Sequence, residues 1–248
     1  MKMKHILNFS SSLCFLLMFT LAQAQEKAAA TSNAEQVPDS IPVKKDRYGL
    51  RVGVELFKLT RGFYDKNYKG IELTGDFRWN KKYYLAAELG NENKTTEDDR
   101  LTTNSKGSYL KAGFDYNMYE NWLDMENIIS IGLRYGFSTF SQELYSYKIY
   151  NPNPYWGELP PIPATQQYNG LSASWIEVVT GMKAKMFNNV FVGFSVQLKT
   201  LVTNKKPEGF DNLYIPGFNR TYNGSFGIGF NYSVTYFIPL YKKKVVAK

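Results

Sequence analysis

The chain has 248 residues, 44% hydrophobic and 21% charged, with aromatics at 16% and 19 Tyr, 17 Phe and 19 Gly. That composition supplies an apolar core for one or two domains and excludes disordered, collagen-like and coiled-coil classes. The only Cys (Cys14) and the only His (His5) fall in the first 24 residues. Without that segment the chain holds no disulfide, thiolate nucleophile, imidazole base or His/Cys metal site.

Residues 1–24 begin with Lys2, Lys4 and His5, continue through an apolar run at 13–21 and end on Ala22-Gln23-Ala24, small residues where a signal peptidase reads. They predict a secretory signal peptide, because polar Asn8, Ser10, Ser11 and Ser12 leave the run too short to span a membrane. Leu13 before Cys14 argues against a lipid anchor. Without Lys2 and Lys4, 28 basic residues face 22 acidic ones, a net +6. The tail 242–248 carries +4 and residues 25–46 carry −1, so the body is near balance at +3. Nucleic-acid binding needs a basic face on the folded body, so that partner is not expected. Residues 25–46 are small, polar and punctuated by Pro38 and Pro42, which predicts a flexible leader. Asp39-Ser40-Ile41 within it resembles an O-glycosylation acceptor of Bacteroidota, a pattern short enough to arise by chance.

From Tyr48 onward apolar residues recur at every second position, the period of a strand. Tyr48, Leu50, Val52, Val54 and Leu56 share one face of the first segment, and Ile71, Leu73, Phe77 and Trp79 one face of the second. Tyr83, Leu85, Ala87 and Leu89 mark the third; Leu110, Ala112, Phe114 and Tyr116 mark the fourth. The fifth is the clearest, with Ile129, Ile131, Leu133, Tyr135 and Phe137 alternating with polar residues and glycines. Ile176, Val178, Met182, Ala184 and Met186 form the sixth, where Val179 interrupts the polar face. Val190, Val192, Phe194, Val196 and Leu198 form the seventh; Phe226, Ile228, Phe230, Tyr232, Val234 and Tyr236 the last of eight. The connections 60–68, 91–105, 141–169 and 203–221 total 72 residues, whereas 80–82, 118–126 and 187–189 total 15. In a meander successive connections fall at opposite ends, so one end carries nearly all the loop mass, as in bacterial outer-membrane barrels.

Two architectures fit: a membrane barrel with its apolar face in lipid, and a soluble lipocalin-like barrel with that face inward. The polar faces decide between them. They hold Arg51, Arg78, Lys111, Arg134, Lys183 and Lys199 against Glu55, Glu72, Asp76, Glu88, Asp115 and Glu177, six of each sign, interleaved with glycine. Glycine weakens a solvated strand but makes room for long charged side chains in a narrow interior. The expectation is an eight-stranded antiparallel up-and-down transmembrane barrel of outer-membrane type over 47–241, with a lumen ion network and a basic periplasmic tail at 242–248. Aromatics at strand ends, namely Tyr48, Trp79, Tyr83, Tyr116 and Tyr236, suit the interfacial girdles of such a barrel.

The stretches YGLRVGVEL (48–56), YKGIELTGDFRWNKKYYLAAELGNE (68–92), IYNPNPYWGE (149–158) and FDNLYIPGFNRTYNG (210–224) resemble a family of uncharacterised Bacteroidota outer-membrane proteins, domain of unknown function 6048. The likeness runs over 48–241 and implies an outer-membrane barrel; the expected location is the outer membrane of a Gram-negative bacterium, with both termini periplasmic. It supplies no catalytic or binding residues. In pattern alone the chain also resembles the small barrels typified by the transmembrane domain of outer-membrane protein A, and a fold does not fix a function.

Glu72, Asp76 and Glu88 include pairs that a glycoside hydrolase could use. An eight-stranded interior is only wide enough for its own side chains, however, so a charge network is the expected role and no catalytic residue is assigned. Barrel enzymes that rely on His have no counterpart here, and nothing points to a Ser-Lys or carboxylate-only mechanism. Glu97, Asp98 and Asp99 lack the ligand spacing of a calcium loop and predict a solvated acidic loop; no metal or cofactor is expected. Tyr145, Tyr147, Tyr150, Tyr155 and Trp156 lie among prolines in 141–169, and Phe210, Tyr214 and Phe218 lie in 203–221. Rings of low entropy cost on constrained loops suit a recognition surface, or an ordered cap in which the two loops pack together. The sequence thus predicts a non-enzymatic barrel whose partners are membrane lipid and an extracellular ligand met through those loops, with a narrow solute pore and a soluble apolar carrier as alternatives.

Overall fold

The computed structural model describes residues 44–120, 126–150, 152, 155, 157, 160–220 and 224–245. The signal segment 1–24, the leader up to residue 43 with Asp39, Ser40 and Ile41, and Trp156 lie outside these residues. Eight strands run in chain order: β1 (Lys44–Glu55), β2 (Tyr68–Arg78), β3 (Tyr83–Asp98), β4 (Leu101–Asn117), β5 (Ile128–Tyr147), β6 (Ile162–Phe187), β7 (Val190–Asn204) and β8 (Phe226–Val245). One helix, α1 (Leu56–Tyr64), joins β1 to β2. Each strand pairs antiparallel with the next and β8 closes on β1, so the ring has no free edge around its waist.

Alternation decides which side each residue occupies. Leu50, Leu73, Leu85, Leu110, Leu133, Val178, Phe194 and Ile228 are exposed on the outside, while Arg51, Glu72, Asp76, Lys111, Arg134, Glu177 and Lys199 are buried inside. A lipocalin-like barrel has the opposite arrangement, with apolar side chains lining a cavity. On β5 the outward apolar residues from Ile129 to Phe137 cover about 27 Å of strand at the usual rise per residue, comparable to the apolar band of a membrane barrel. Trp79, Tyr83 and Tyr236 are exposed at the short-turn end, and Tyr83 leans on Tyr116 with ring centroids 5.3 Å apart. Tyr48 departs from the girdle expected for it. A register shift at Tyr48/Gly49 and stacking on Tyr241 at 5.3 Å leave its ring buried beside the Arg78 guanidinium.

The strands are longer than periodicity alone indicates. The barrel begins at Lys44 and ends at Val245, so the last residues of the expected leader and the first of the expected tail form a ladder in which Asp46 faces Lys243 and Arg47 faces Lys242. The expected loop 91–105 is instead hairpin, because β3 and β4 stay paired from Tyr83↔Tyr116 out to Asp98↔Leu101. Backbone pairing needs no apolar alternation, and polar residues carry the ladder beyond the apolar belt. Glu97 and Asp98 therefore lie on β3 and only Asp99 on the turn. By the same extension β5 and β6 reduce the connection expected over 141–169 to 148–161.

At the other end the turns are short and tied together. Asn80 Oδ1 accepts from the backbone N–H of Lys82 (2.8 Å) and Tyr83 (2.7 Å). Arg47 donates through Nε to Glu126 (2.8 Å) and through Nη1 to Asn189 Oδ1 (2.6 Å), and Lys185 reaches Glu126 at 3.0 Å. Partial burial pushes the Glu126 carboxyl up, but hydrogen bonds and charge from Arg47 and Lys185 outweigh it and hold the group below its ordinary range. A carboxylate with a depressed folded pKa adds stability that is complete above the unfolded value, about 4.3, and lost as pH falls through the folded one. Glu126→Gln should therefore lower the urea midpoint at pH 7 and flatten its fall below about pH 4.3. Midpoints that run parallel to the parent over that acid range would refute the coupling.

Candidate functional site

The interior of the ring is where the charged residues meet, and the end of β1 begins it. Glu55 turns its carboxylate onto the N–H groups of Phe57 (2.8 Å) and Lys58 (2.7 Å), capping α1. It also accepts from the Tyr232 N–H at 3.3 Å. Glu55 is thus a helix cap, and among the described residues it takes no cation, unlike the network role expected for it. Capping explains why the pairing of β1 with β2 stops at Val54↔Leu73. Beyond that point α1 packs on β2 and β8 in place of a strand. Phe57 meets Phe230 (4.6 Å) and Tyr232 (5.8 Å), whereas Lys58 is buried toward the lumen.

Lys58 pairs with Glu72 and, at 3.0 Å, with Glu92, and also donates to the Tyr109 hydroxyl. Lys111, fully buried, reaches Glu88 (2.9 Å), Glu72 (3.3 Å) and Glu177 (3.8 Å). Glu177 also receives Lys199 at 3.4 Å and the Trp175 indole N–H at 2.6 Å. Arg134 joins Asp115 (2.7 Å) to Glu88 (3.7 Å). Nearer the short turns Asp76 lies between Arg51 and Lys183, with the Arg51 guanidinium over the Tyr84 ring at 4.8 Å. Arg78 lies apart, 3.9 Å from Asp46 and donating to the Arg47 carbonyl at 2.7 Å. Eleven of the twelve expected network residues thus meet an opposite charge. Glycine on the inner face has a visible purpose at Gly136, which faces Trp175 across the β5–β6 ladder. A Cβ there would collide with the indole.

The ordered cap that the sequence offered as an alternative takes the form of a plug that closes this network from above, through Glu92 and Lys199 contacts that the sequence did not show. Residues 214–219 of the long connection between β7 and β8 fold into the barrel mouth. Ile215 and Phe218 are fully buried with Tyr109, Phe140, Leu171 and Trp175. The Tyr214 hydroxyl (2.6 Å) and the Gly217 N–H (3.1 Å) donate to Glu92, and Lys199 donates to the Gly217 carbonyl at 2.8 Å. Gly217 has φ +81°, and a Cβ there would lie 2.5 Å from Tyr109 Cγ. Gly217→Ala should cost about 1–3 kcal/mol locally and free the plug. The expected sign is faster tryptic cleavage at Lys205 with the barrel itself intact. Unchanged cleavage would remove this segment's role as a plug.

The expected recognition surface divides accordingly. Tyr214 and Phe218 are buried in the plug, because Glu92 and the apolar cluster draw them inward, and so are not surface residues. Phe210 stacks on Tyr168 at 5.9 Å. Tyr145, Tyr147, Tyr150 and Tyr155 are exposed, and Arg100 covers the Tyr150 ring at 4.4 Å.

A family model described as Domain of unknown function (DUF6048) matches residues 6–243. The chain belongs to that family. No curated protein matches it. The chain is similar to a solved structure of Ail, the attachment invasion locus protein of Yersinia pestis, at 12% identity and a TM-score of 0.40. The match covers 77% of this chain and 97% of that one.

Chemically the interior neutralises itself. Glu72, Asp76 and Glu88, the residues a glycosidase reading would use, each contact at least one cation. Within the lumen a small pocket of about 60 Å³ is bordered by Thr74, Asp115, Ser130 and Ser195, room for ordered water and not for a substrate. No grouping of acidic residues among the described residues forms a cluster that could hold a metal.

Proposed function

We propose that the protein is a non-enzymatic barrel of a Gram-negative outer membrane. Its lumen is closed, its termini lie in the periplasm, and its long connections face the outside in a structural or surface-binding role. One observation carries this: a continuous outward apolar belt surrounds a closed ring whose ionised groups pair with one another inside. In hydrocarbon every backbone polar group needs a partner within the protein, and closure of β8 on β1 provides it. Lipid is the partner this belt requires. An extracellular partner would meet the exposed Tyr145, Tyr147, Tyr150 and Tyr155.

Fractionation should place the protein in membranes and release it only with detergent. Trypsin added to intact cells should cut at Lys205 and spare Lys81 and Lys82. The reverse cleavage would invert the topology. A planar bilayer holding the purified barrel should stay electrically silent, and steady single-channel steps would support a pore instead.

A further inference from the structure

Beyond the apolar belt the outer faces of β3, β4 and β5 turn polar along one row. Leu89, Leu110 and Phe137 are register partners exposed on the belt, and the next outward residues, Asn91, Ser108 and Thr139, are register partners too. Two residues along a strand are about 7 Å, the distance from the last acyl contact to the headgroup layer. These residues border an open groove of about 450 Å³, continued by Lys106, Asn104 and Gln167. Its amides are already oriented: Asn91 Nδ2 donates to Ser108 Oγ at 2.9 Å, and Asn104 Nδ2 donates to Asn93 (2.7 Å) and Thr95 (3.0 Å).

We propose that this groove holds the saccharide headgroup of an outer-leaflet glycolipid whose acyl chains run down over Leu89, Leu110 and Phe137. The inference rests on the membrane reading above. Fixed amides and hydroxyls both give and take hydrogen bonds, as vicinal sugar hydroxyls require. Glu143 also lines the groove and would accept from sugar hydroxyls, while Lys106, with no ion-pair partner among the described residues, matches a phosphate or carboxylate on the headgroup. The volume falls within the range of small-molecule sites. The groove contains no aromatic platform on which a free sugar would stack, and its lower border is the belt itself, so the lipid supplies the missing contact area.

The test uses the full barrel in detergent micelles, with purified lipopolysaccharide and its lipid-free core oligosaccharide as probes. Asn104→Ala, Lys106→Ala and Gln167→Ala together should weaken lipopolysaccharide binding at least about tenfold, one to two lost hydrogen bonds' worth. Thr200→Ala on the outer face of β7 should leave it unchanged. Ser108→Tyr, which fills the groove, should act like the triple variant and covers the case in which the latter misfolds. Parent affinity in both groove variants would overturn the site. Oligosaccharide bound as tightly as the lipid would overturn the glycolipid as its occupant. A barrel that stays in solution without detergent would refute the membrane reading, whereas unchanged binding by a detergent-dependent barrel refutes the groove alone.

Discussion

Leu133→Arg should destabilise the barrel in lipid by about 2–4 kcal/mol, the depth-dependent cost of a guanidinium at the middle of the lipid-facing wall. Leu133 lies at the centre of the outward run of β5 and is 43% exposed. Thr139→Arg, on the same face of the same strand but beyond Phe137, should cost no more than about 1 kcal/mol. The contrast is the informative quantity, because both changes add the same side chain to the same strand. Urea midpoints in phospholipid vesicles measure it. Equal effects at the two positions would mean that neither faces hydrocarbon.

The second large effect is expected inside. Lys111→Met removes the cation that Glu72, Glu88 and Glu177 share and leaves them, in a buried space, with only Lys58, Arg134 and Lys199 respectively. Breaking one side of a buried pair costs about 3–5 kcal/mol, because it leaves a buried negative charge uncompensated. Adding Glu177→Gln to Lys111→Met should recover part of the loss, since it restores the charge balance of the network. Heat-modifiable gel mobility and urea unfolding both report the change. A Lys111→Met barrel within about 0.5 kcal/mol of the parent would mean that solvent reaches the lumen and screens its charges.

The side each residue faces was legible because the strand period is two and the apolar set occupies one phase of it. Ile129 through Phe137 needed nothing more. Lys111, Glu177 and Arg134 followed by elimination once the apolar face was assigned to lipid. What periodicity cannot show is which residues outside the alternating segments return to the interior. Lys58 lies on a helix that exists because Glu55 caps it, and Glu92 lies on a polar extension of β3 that alternation ended at Gly90. Tyr214 and Phe218 were visible as aromatics, and Pro216-Gly217 between them was a turn signal. Yet a ring reads alike in sequence whether it faces solvent or fills a barrel mouth; the choice depends on Glu92 and Lys199, which come from β3 and β7. Strand length was underestimated for a related reason, since hydrogen-bonded pairing continues through polar residues that carry no alternating signal.

The most direct test of the account uses single cysteines placed along β5 in the chain lacking Cys14, each carrying a nitroxide, in phospholipid vesicles. Labels at Ile131, Leu133 and Tyr135 should collide freely with dissolved oxygen and stay hidden from a water-soluble nickel complex. Labels at Ser130 and Ser138 should be shielded from both. If instead the 131, 133 and 135 labels meet the aqueous reagent while their neighbours lie in an oily interior, the belt does not contact lipid and the account is wrong.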